Sequence, residues 1–269
     1  MEPITARVAP ITGPGAHHGP GRPSGPRAHI RLARYRPLVR TNALPEFQPS
    51  VHGFRFANRW PAGPAFELHA RYIRLGIGEM SEGLCGGMCF AAADRYLLRE
   101  PVPADAVVPS PGTPLFREIV RRQLVSFDRW GLVPARFWLT VLRLAGGRWT
   151  AAAQITEWRR ICSDIDSGRP AMVGLVRSAR INPFGLTTNH QVLAHGYEAD
   201  PKVGTLRIYD PNHPGRDDVS LRLRRADQED GRPRFSLDQT TGEPLLALLR
   251  LPYRPRAGTR RWPRGPRAG

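Results

Sequence analysis

A chain of 269 residues with 41% hydrophobic residues can bury one large core, and nothing in its composition requires a second. Its formal net charge of +17 suggests nucleic-acid binding until the charges are located. Residues 1–45 hold seven arginines and one acidic residue, and residues 254–269 hold six arginines and no acidic residue, so the two ends carry 12 of the 17 net charges. The middle is therefore only mildly basic, and a bias of base composition is favoured over selected binding of nucleic acid or anionic membrane.

Cysteine content and hydropathy indicate the compartment. The three cysteines are Cys85, Cys89 and Cys162, and so small a set, two of them four residues apart, does not make a disulfide framework. No apolar run approaches the roughly 18 residues that a membrane span needs, and the N-terminus lacks a hydrophobic signal core. We therefore expect a cytoplasmic protein with reduced thiols and no membrane span, although a wrongly assigned start site would leave secretion open.

The two ends differ in composition from the middle of the chain. Residues 1–45 are dense in Pro, Gly, Arg and Ala and show no periodicity, which predicts a disordered basic arm. Residues 254–269 have the same character and predict a second disordered tail. The predicted domain covers residues 46–253, and it opens with Val51–Trp60, where alternating apolar and polar residues predict a strand or extended segment.

Helical signals dominate the middle of the chain. Thr113 followed by a proline is typical of an N-cap and the first helical position, which predicts a helix over about 114–129. Thr150 caps an amphipathic helix predicted over Ala151–Ile165. The apolar stretch 130–144 is compatible with either a strand or a turn onto more helix.

After Gly168 the pattern changes to short apolar runs bounded by turn residues, which is typical of strands. The sequence thus predicts an α+β fold in which N-terminal helices pack on a C-terminal, mainly antiparallel sheet. The predicted strands are Ala171–Val176, Gln191–Tyr197, Thr205–Tyr209, Val219–Leu223 and Leu245–Tyr253.

Cys85 carries the strongest chemical signal, because it stands where a glycine-rich turn runs into a helical stretch that ends before Pro101. The unpaired N–H groups of a helix start favour a thiolate and lower a cysteine pKa. Gly86 and Gly87 follow directly. Glycine destabilises a helix relative to alanine, so two glycines here are useful only if another group approaches the backbone closely. The acyl group of a substrate would approach the backbone in this way, which makes Cys85 a candidate nucleophile.

His190 and Asp210 are the expected partners of this thiol. His190 opens one predicted strand and Asp210 closes the next. A hairpin places the beginning of one strand beside the end of the other, so the two side chains should be neighbours. A cysteine–imidazole pair oriented by a carboxylate is the thiol form of nucleophilic catalysis, in which the carboxylate fixes the imidazole tautomer.

These residues resemble a known family. A Cys-Gly-x-x-x-apolar-Ala helix start, a His followed six and seven positions on by Gly-Tyr, and apolar-Tyr-Asp-Pro stand in the order of the papain-like cysteine peptidase superfamily. A Gly-Arg-Pro before an apolar strand is similar to its bacterial branch that processes double-glycine leaders of bacteriocins. The resemblance covers residues 83–97 and 168–212. It implies a papain-like fold with Cys85 as nucleophile, His190 as base and Asp210 as orienting acid.

The oxyanion donor departs from that family. Papain-like enzymes usually carry a glutamine a few residues before the cysteine, and residues 78–82 contain none. Gly86 and Ser81 are the candidate donors, and Asn58 or Trp60 could substitute. A missing donor costs on the order of a hundredfold in rate, so its absence strengthens the alternative of a non-catalytic relative, with hydrolysis still the leading interpretation.

Two positions have alternatives. Met88-Cys89-Phe90-Ala91 resembles the papain-type Ser-Cys-Trp-Ala sequence, so Cys89 is an alternative nucleophile, although a side chain one turn into the helix more often packs. Asn212 is the alternative to Asp210 as orienting residue. Cys162 lies on the apolar side of its predicted helix and should be inert.

Three functions follow from these readings. The first is hydrolysis of a peptide or isopeptide bond in a peptide or protein substrate, and the second is peptide binding by an inactive papain-like domain. The third is an arginine-tailed module with weak, non-specific affinity for polyanions. No cofactor or metal is implied, because His190 and His195 should point to opposite faces of one strand and a zinc set with Cys85 and Cys89 is disfavoured.

Overall fold

Most helices precede most strands in the part of the chain that the structure describes. This computed structural model describes residues 39–70, 73–79, 83–128, 132–179, 189–227 and 233–257, all of which belong to the unit Pro37–Gly269. The helices are α1 (Pro49–His52), α2 (Cys85–Leu98), α3 (Pro114–Ser126), α4 (Leu132–Ala145) and α5 (Ala151–Asp166). The strands are β1 (Arg40–Ala43), β2 (Pro64–Ala70), β3 (Ile73–Glu79), β4 (Ala171–Val176), β5 (His190–Ala199), β6 (Val203–Tyr209), β7 (Ser220–Asp227), β8 (Pro233–Gln239) and β9 (Ala247–Leu251).

The main sheet is antiparallel at every described pairing, with the order β8-β7-β6-β5-β4-β9. Strand β1 pairs with the second half of β5, beyond the residues that β4 occupies. Strands β2 and β3 form a separate hairpin. The predicted α+β class with a mainly antiparallel sheet is therefore confirmed.

The sheet is covered on both faces, which explains why its central strands are apolar without alternation. One core cluster joins α2, α3 and α4 to the sheet and includes Phe90 and Leu193. A second cluster joins α5 to the other face and includes Ile161 and Val192. Because all six residues of β4 are buried, its apolar run is what a doubly covered strand requires.

Local capping signals place the helices as predicted. Thr113 accepts a hydrogen bond from the N–H of Phe116 at the start of α3, and Thr150 accepts one from Ala153 at the start of α5. The ambiguous stretch 130–144 contains α4, whose buried residues repeat at helical spacing.

Of the two alternatives predicted over Val51–Trp60, a strand or an extended segment, the strand is wrong. Its first residues belong to α1, which Pro49 opens at a position where a proline needs no N–H partner. The alternation that suggested a strand arises because Phe54 and Phe56 are both buried, with ring centroids 5.2 Å apart, in a segment that has no strand pairing.

Both predicted domain boundaries lie too far inward. Arg40–Ala43, assigned to the disordered arm, pairs as β1 with β5. At the other end, the N–H of Arg256 donates to Asp94 on α2 at 3.0 Å, and Arg122 on α3 donates to the carbonyl of Arg254 at 2.6 Å. Residues 1–38 and 258–269, which hold the rest of both predicted tails, lie outside the described residues.

Strands β2, β3 and β8 were not predicted. The sequence of β8, PRFSLDQ, mixes polar and apolar residues. This strand lies at the end of the sheet order, where it pairs with one neighbouring strand, β7. Among the described residues, no helix has the length and apolar character to cross a bilayer.

Candidate functional site

Cys85 is the first residue of α2 and is 8% exposed. The N-cap residue of this helix makes no side-chain hydrogen bond to the first turn. Side chains from distant parts of the chain accept hydrogen bonds from N–H groups at the helix start instead. Leu84 donates to Asn58 Oδ1 at 2.7 Å, and Gly87 donates to Gln123 Oε1 at 2.6 Å. The N–H of Gly86 is directed at the Cys85 sulfur, where it favours the thiolate.

The two glycines after Cys85 make room for neighbouring protein, which accounts for them without a visiting acyl group. A Cβ at Gly86 would lie 2.4 Å from Ser126 Oγ, and one at Gly87 would lie 2.2 Å from the carbonyl oxygen of Ile119. Both obstructing residues belong to α3. The glycine pair therefore lets α3 approach the start of α2 closely and fixes the position of the thiol.

His190 lies between the thiol and a carboxylate. It is the first residue of β5, Asp210 directly follows β6, and His190 Nε2 is 2.6 Å from Asp210 Oδ1, as the hairpin geometry predicts. The same imidazole hydrogen bonds the thiol of Cys85.

The chain matches no protein-family model, no curated protein and no solved structure. The chemistry of the site therefore follows from its own geometry and electrostatics.

The charges of the three groups support one another. Burial raises the pKa of Cys85, but the His190 charge and hydrogen bond, with the N–H groups of Gln191 and Gly86, bring it below its ordinary 9.0. Burial lowers the pKa of His190, and the charges of Asp210 and Cys85 raise it to about 9. Each charged group therefore favours the charged form of the other, which is the arrangement of a thiolate–imidazolium pair.

The second oxygen of Asp210 is held by residues that the sequence did not reveal. Gln239 at the end of β8 donates from Nε2 to Asp210 Oδ2 at 2.8 Å, and Arg177 Nη2 lies 3.9 Å from the same oxygen. Arg177 also donates to Gln239 Oε1 at 3.1 Å. Although burial raises the pKa of Asp210, His190, the N–H of Asn212 and Gln239 lower it to about 2, so the carboxylate stays ionised.

The other two cysteines are placed as packing residues. Cys89 is fully buried and its thiol donates to the carbonyl of Gln191 at 3.4 Å. Burial, with the charges of Cys85 and Asp210, raises the pKa of Cys89 well above its ordinary value. Burial also raises the pKa of Cys162 to about 12. Of the three thiols, Cys85 is the one that lies against an imidazole of the described residues.

His195 is turned away from the thiol site. Its ring packs against Phe47 with centroids 5.0 Å apart, and burial lowers its pKa to about 4, so it is neutral at pH 7. The zinc set with Cys85, Cys89 and His190 is therefore not assembled. Over the described ranges, no group of three or more His, Cys, Asp or Glu side chains could hold a metal ion.

The remaining candidates have other positions. Asn212 donates its backbone N–H to Asp210 at 2.8 Å, while its side chain accepts from Asn58 at 3.3 Å and does not hydrogen bond His190. Ser81 lies outside the described residues, and Gly86 directs its N–H to the sulfur. Asn58, which the sequence offered as a substitute, lies at the start of α2, where its side chain accepts from the N–H of Leu84.

Proposed function

We propose that this protein is a papain-like thiol hydrolase that cleaves a peptide or isopeptide bond with Cys85, His190 and Asp210. The observation that carries the proposal is the imidazole of His190, which hydrogen bonds the helix-start thiol on one side and lies 2.6 Å from the carboxylate on the other. The resemblance in chain order to papain-like enzymes adds to it.

The residues divide the reaction into two steps. The Cys85 thiolate attacks the substrate carbonyl carbon, the π electrons of the carbonyl move to its oxygen, and collapse of this intermediate expels the amine with a proton from His190. The product is a thioester on Cys85. Neutral His190 then takes a proton from water, the hydroxide displaces the thiolate, and the acid leaves. Asp210 keeps the imidazole oriented throughout.

Alkylation by iodoacetamide and turnover of p-nitrophenyl acetate test the proposal without knowledge of the substrate. Both should depend on Cys85: Cys85→Ala abolishes the fast alkylation and the catalytic release of p-nitrophenolate. Cys89→Ala is the matched control, since it removes a buried thiol one helical turn away, and it should leave both intact.

The outcomes separate the competing readings. A Cys85 that reacts no faster than N-acetylcysteine at pH 7 would contradict the hydrolase and favour a peptide-binding relative with the same frame. A fast signal that follows Cys89 would move the nucleophile one helical turn along α2. Thiol-independent, salt-sensitive binding to DNA would favour the arginine-tailed module.

A further inference from the structure

Asn58 joins the two segments that flank the thiol site. Its backbone N–H donates to the carbonyl of Pro211 at 2.9 Å, one residue after Asp210. Its side-chain Oδ1 accepts from the N–H of Leu84 at 2.7 Å, one residue before Cys85. The side-chain amide therefore lies at the start of the nucleophile helix, although Asn58 comes from a loop far earlier in the chain.

The orientation of this amide is fixed by its partners. Oδ1 accepts from two groups that can only donate, the backbone N–H of Leu84 and the indole N–H of Trp60 at 2.9 Å. The amide oxygen must therefore face these groups, and Nδ2 must face the opposite way. Nδ2 donates to Asn212 Oδ1 at 3.3 Å, and among the described residues this is its one acceptor. A primary amide has two N–H bonds, so its second donor is not used by them.

Asn58 Nδ2 lies against the backbone that leads into Cys85. A Cβ at Gly83 would be 2.5 Å from Asn58 Nδ2, and Gly83 has a φ of +94°, which side-chain-bearing residues rarely adopt. Glycine at this position therefore makes space for the amide nitrogen. The backbone N–H of Cys85 is the first of the helix, and no described residue accepts a hydrogen bond from it.

We propose that Asn58 Nδ2 and the backbone N–H of Cys85 form the oxyanion hole of the site, a role that rests on the proposed function. Each donor would bind the carbonyl oxygen of the substrate as it gains negative charge during attack by the thiolate. Residues 78–82 contain no glutamine that could act as the side-chain donor. In this arrangement Asn58 supplies that donor from a distant loop. Trp60 is then a positioning residue, because its indole N–H holds the amide oxygen away from the oxyanion.

Two reactions of the same thiol isolate this role. Alkylation by iodoacetamide is a displacement at an sp³ carbon and forms no oxyanion. In acylation by p-nitrophenyl acetate the sulfur bonds to the carbonyl carbon, the oxygen gains the negative charge, and p-nitrophenolate leaves as the carbonyl re-forms. The ratio of the two rate constants at one pH therefore reports oxyanion stabilisation and cancels changes in thiolate fraction.

Asn58→Asp is the sharpest variant, because it keeps an oxygen for Leu84 and Trp60 and removes the N–H donors. It should lower the ratio of acylation to alkylation about a hundredfold, the usual loss when one oxyanion donor is removed. Trp60→Phe should lower the ratio less, since the amide is still present but is held by one bond fewer. Asn58→Ala serves if the aspartate variant does not fold, as judged by its thermal unfolding.

The failures of the two proposals are distinguishable. If Cys85 in the unaltered protein is neither alkylated fast nor acylated, the hydrolase itself fails. If it reacts in both assays and Asn58→Asp and Asn58→Ala each keep the ratio within about threefold of the unaltered protein, Asn58 only joins two segments and the oxyanion assignment is wrong.

Discussion

Replacement of His190 by alanine should convert Cys85 from an ion-paired thiolate into an ordinary buried thiol. The imidazole supplies the charge and the side-chain hydrogen bond that lower the pKa of Cys85, while burial alone raises it. Without His190 the pKa should therefore return to at least its ordinary value of 9.0. A thiol with that pKa is only about 1% ionised at pH 7, so its alkylation rate should fall to about 1% of the fully ionised limit or less.

The measurement is the iodoacetamide rate from pH 5 to 10, followed by mass spectrometry of the peptide that contains Cys85. In the unaltered protein the fast reaction should persist below the ordinary thiol pKa, and in His190→Ala it should rise tenfold per pH unit up to pH 9 or above. His195→Phe is a matched control on the same strand, because His195 is also buried but is neutral at pH 7, and its Nε2 has no hydrogen-bond partner among the residues that the structure describes.

The acyl-transfer reaction adds an upper limit to the pH range. Its leaving group needs the proton of the imidazolium, and the pKa of His190 is raised to about 9, so amide cleavage should fall as pH rises through that value. Alkylation needs no such proton and should not fall there. Identical alkylation profiles for the unaltered protein and His190→Ala would refute the ion pair.

Three further outcomes are expected. Asp210→Ala should weaken the fast alkylation more than Asn212→Ala does, as the same pH series will test, because Asp210 contacts the imidazole and the Asn212 side chain does not. Gly87→Ala should cost about 1–3 kcal/mol of unfolding free energy in urea, since its Cβ meets the α3 backbone at 2.2 Å; an unchanged midpoint would mean that α3 can move away. A chain of residues 39–257 should unfold cooperatively at the full-length midpoint and should bind DNA less tightly at low salt. A chain that ends at residue 253 should lose about 1.5–3 kcal/mol of unfolding free energy for each hydrogen bond to Asp94 or Arg122 that is removed.

The parts of the fold with local signals were predictable from the sequence. Thr113 and Thr150 cap their helices through bonds that span three residues, so the information lies within one turn. Helix α4 could also have been identified, since Val133, Phe137 and Val141 repeat every four residues and are all buried.

The parts that depend on distant partners were not predictable. Strand β1 has no apolar pattern of its own and exists because β5 offers it an edge. The glycines after Cys85 have a meaning only once α3 lies against them. In the site, the positions of the strand starts and ends were enough to predict the contact between His190 and Asp210. The contact of Gln239 was not predictable, because the sequence pattern of β8 did not predict a strand.

The order of the helices and strands along the chain also decides when the pKa of Cys85 can be lowered during synthesis. Cys85 lies on α2, its imidazole partner begins β5, and the amide that holds Asp210 ends β8, so the ribosome releases the sulfur before each of the groups that support it. A nascent chain that ends before His190 carries a thiol without its imidazole. Completion of the sheet is therefore what brings the groups that lower the pKa of Cys85 to the thiol.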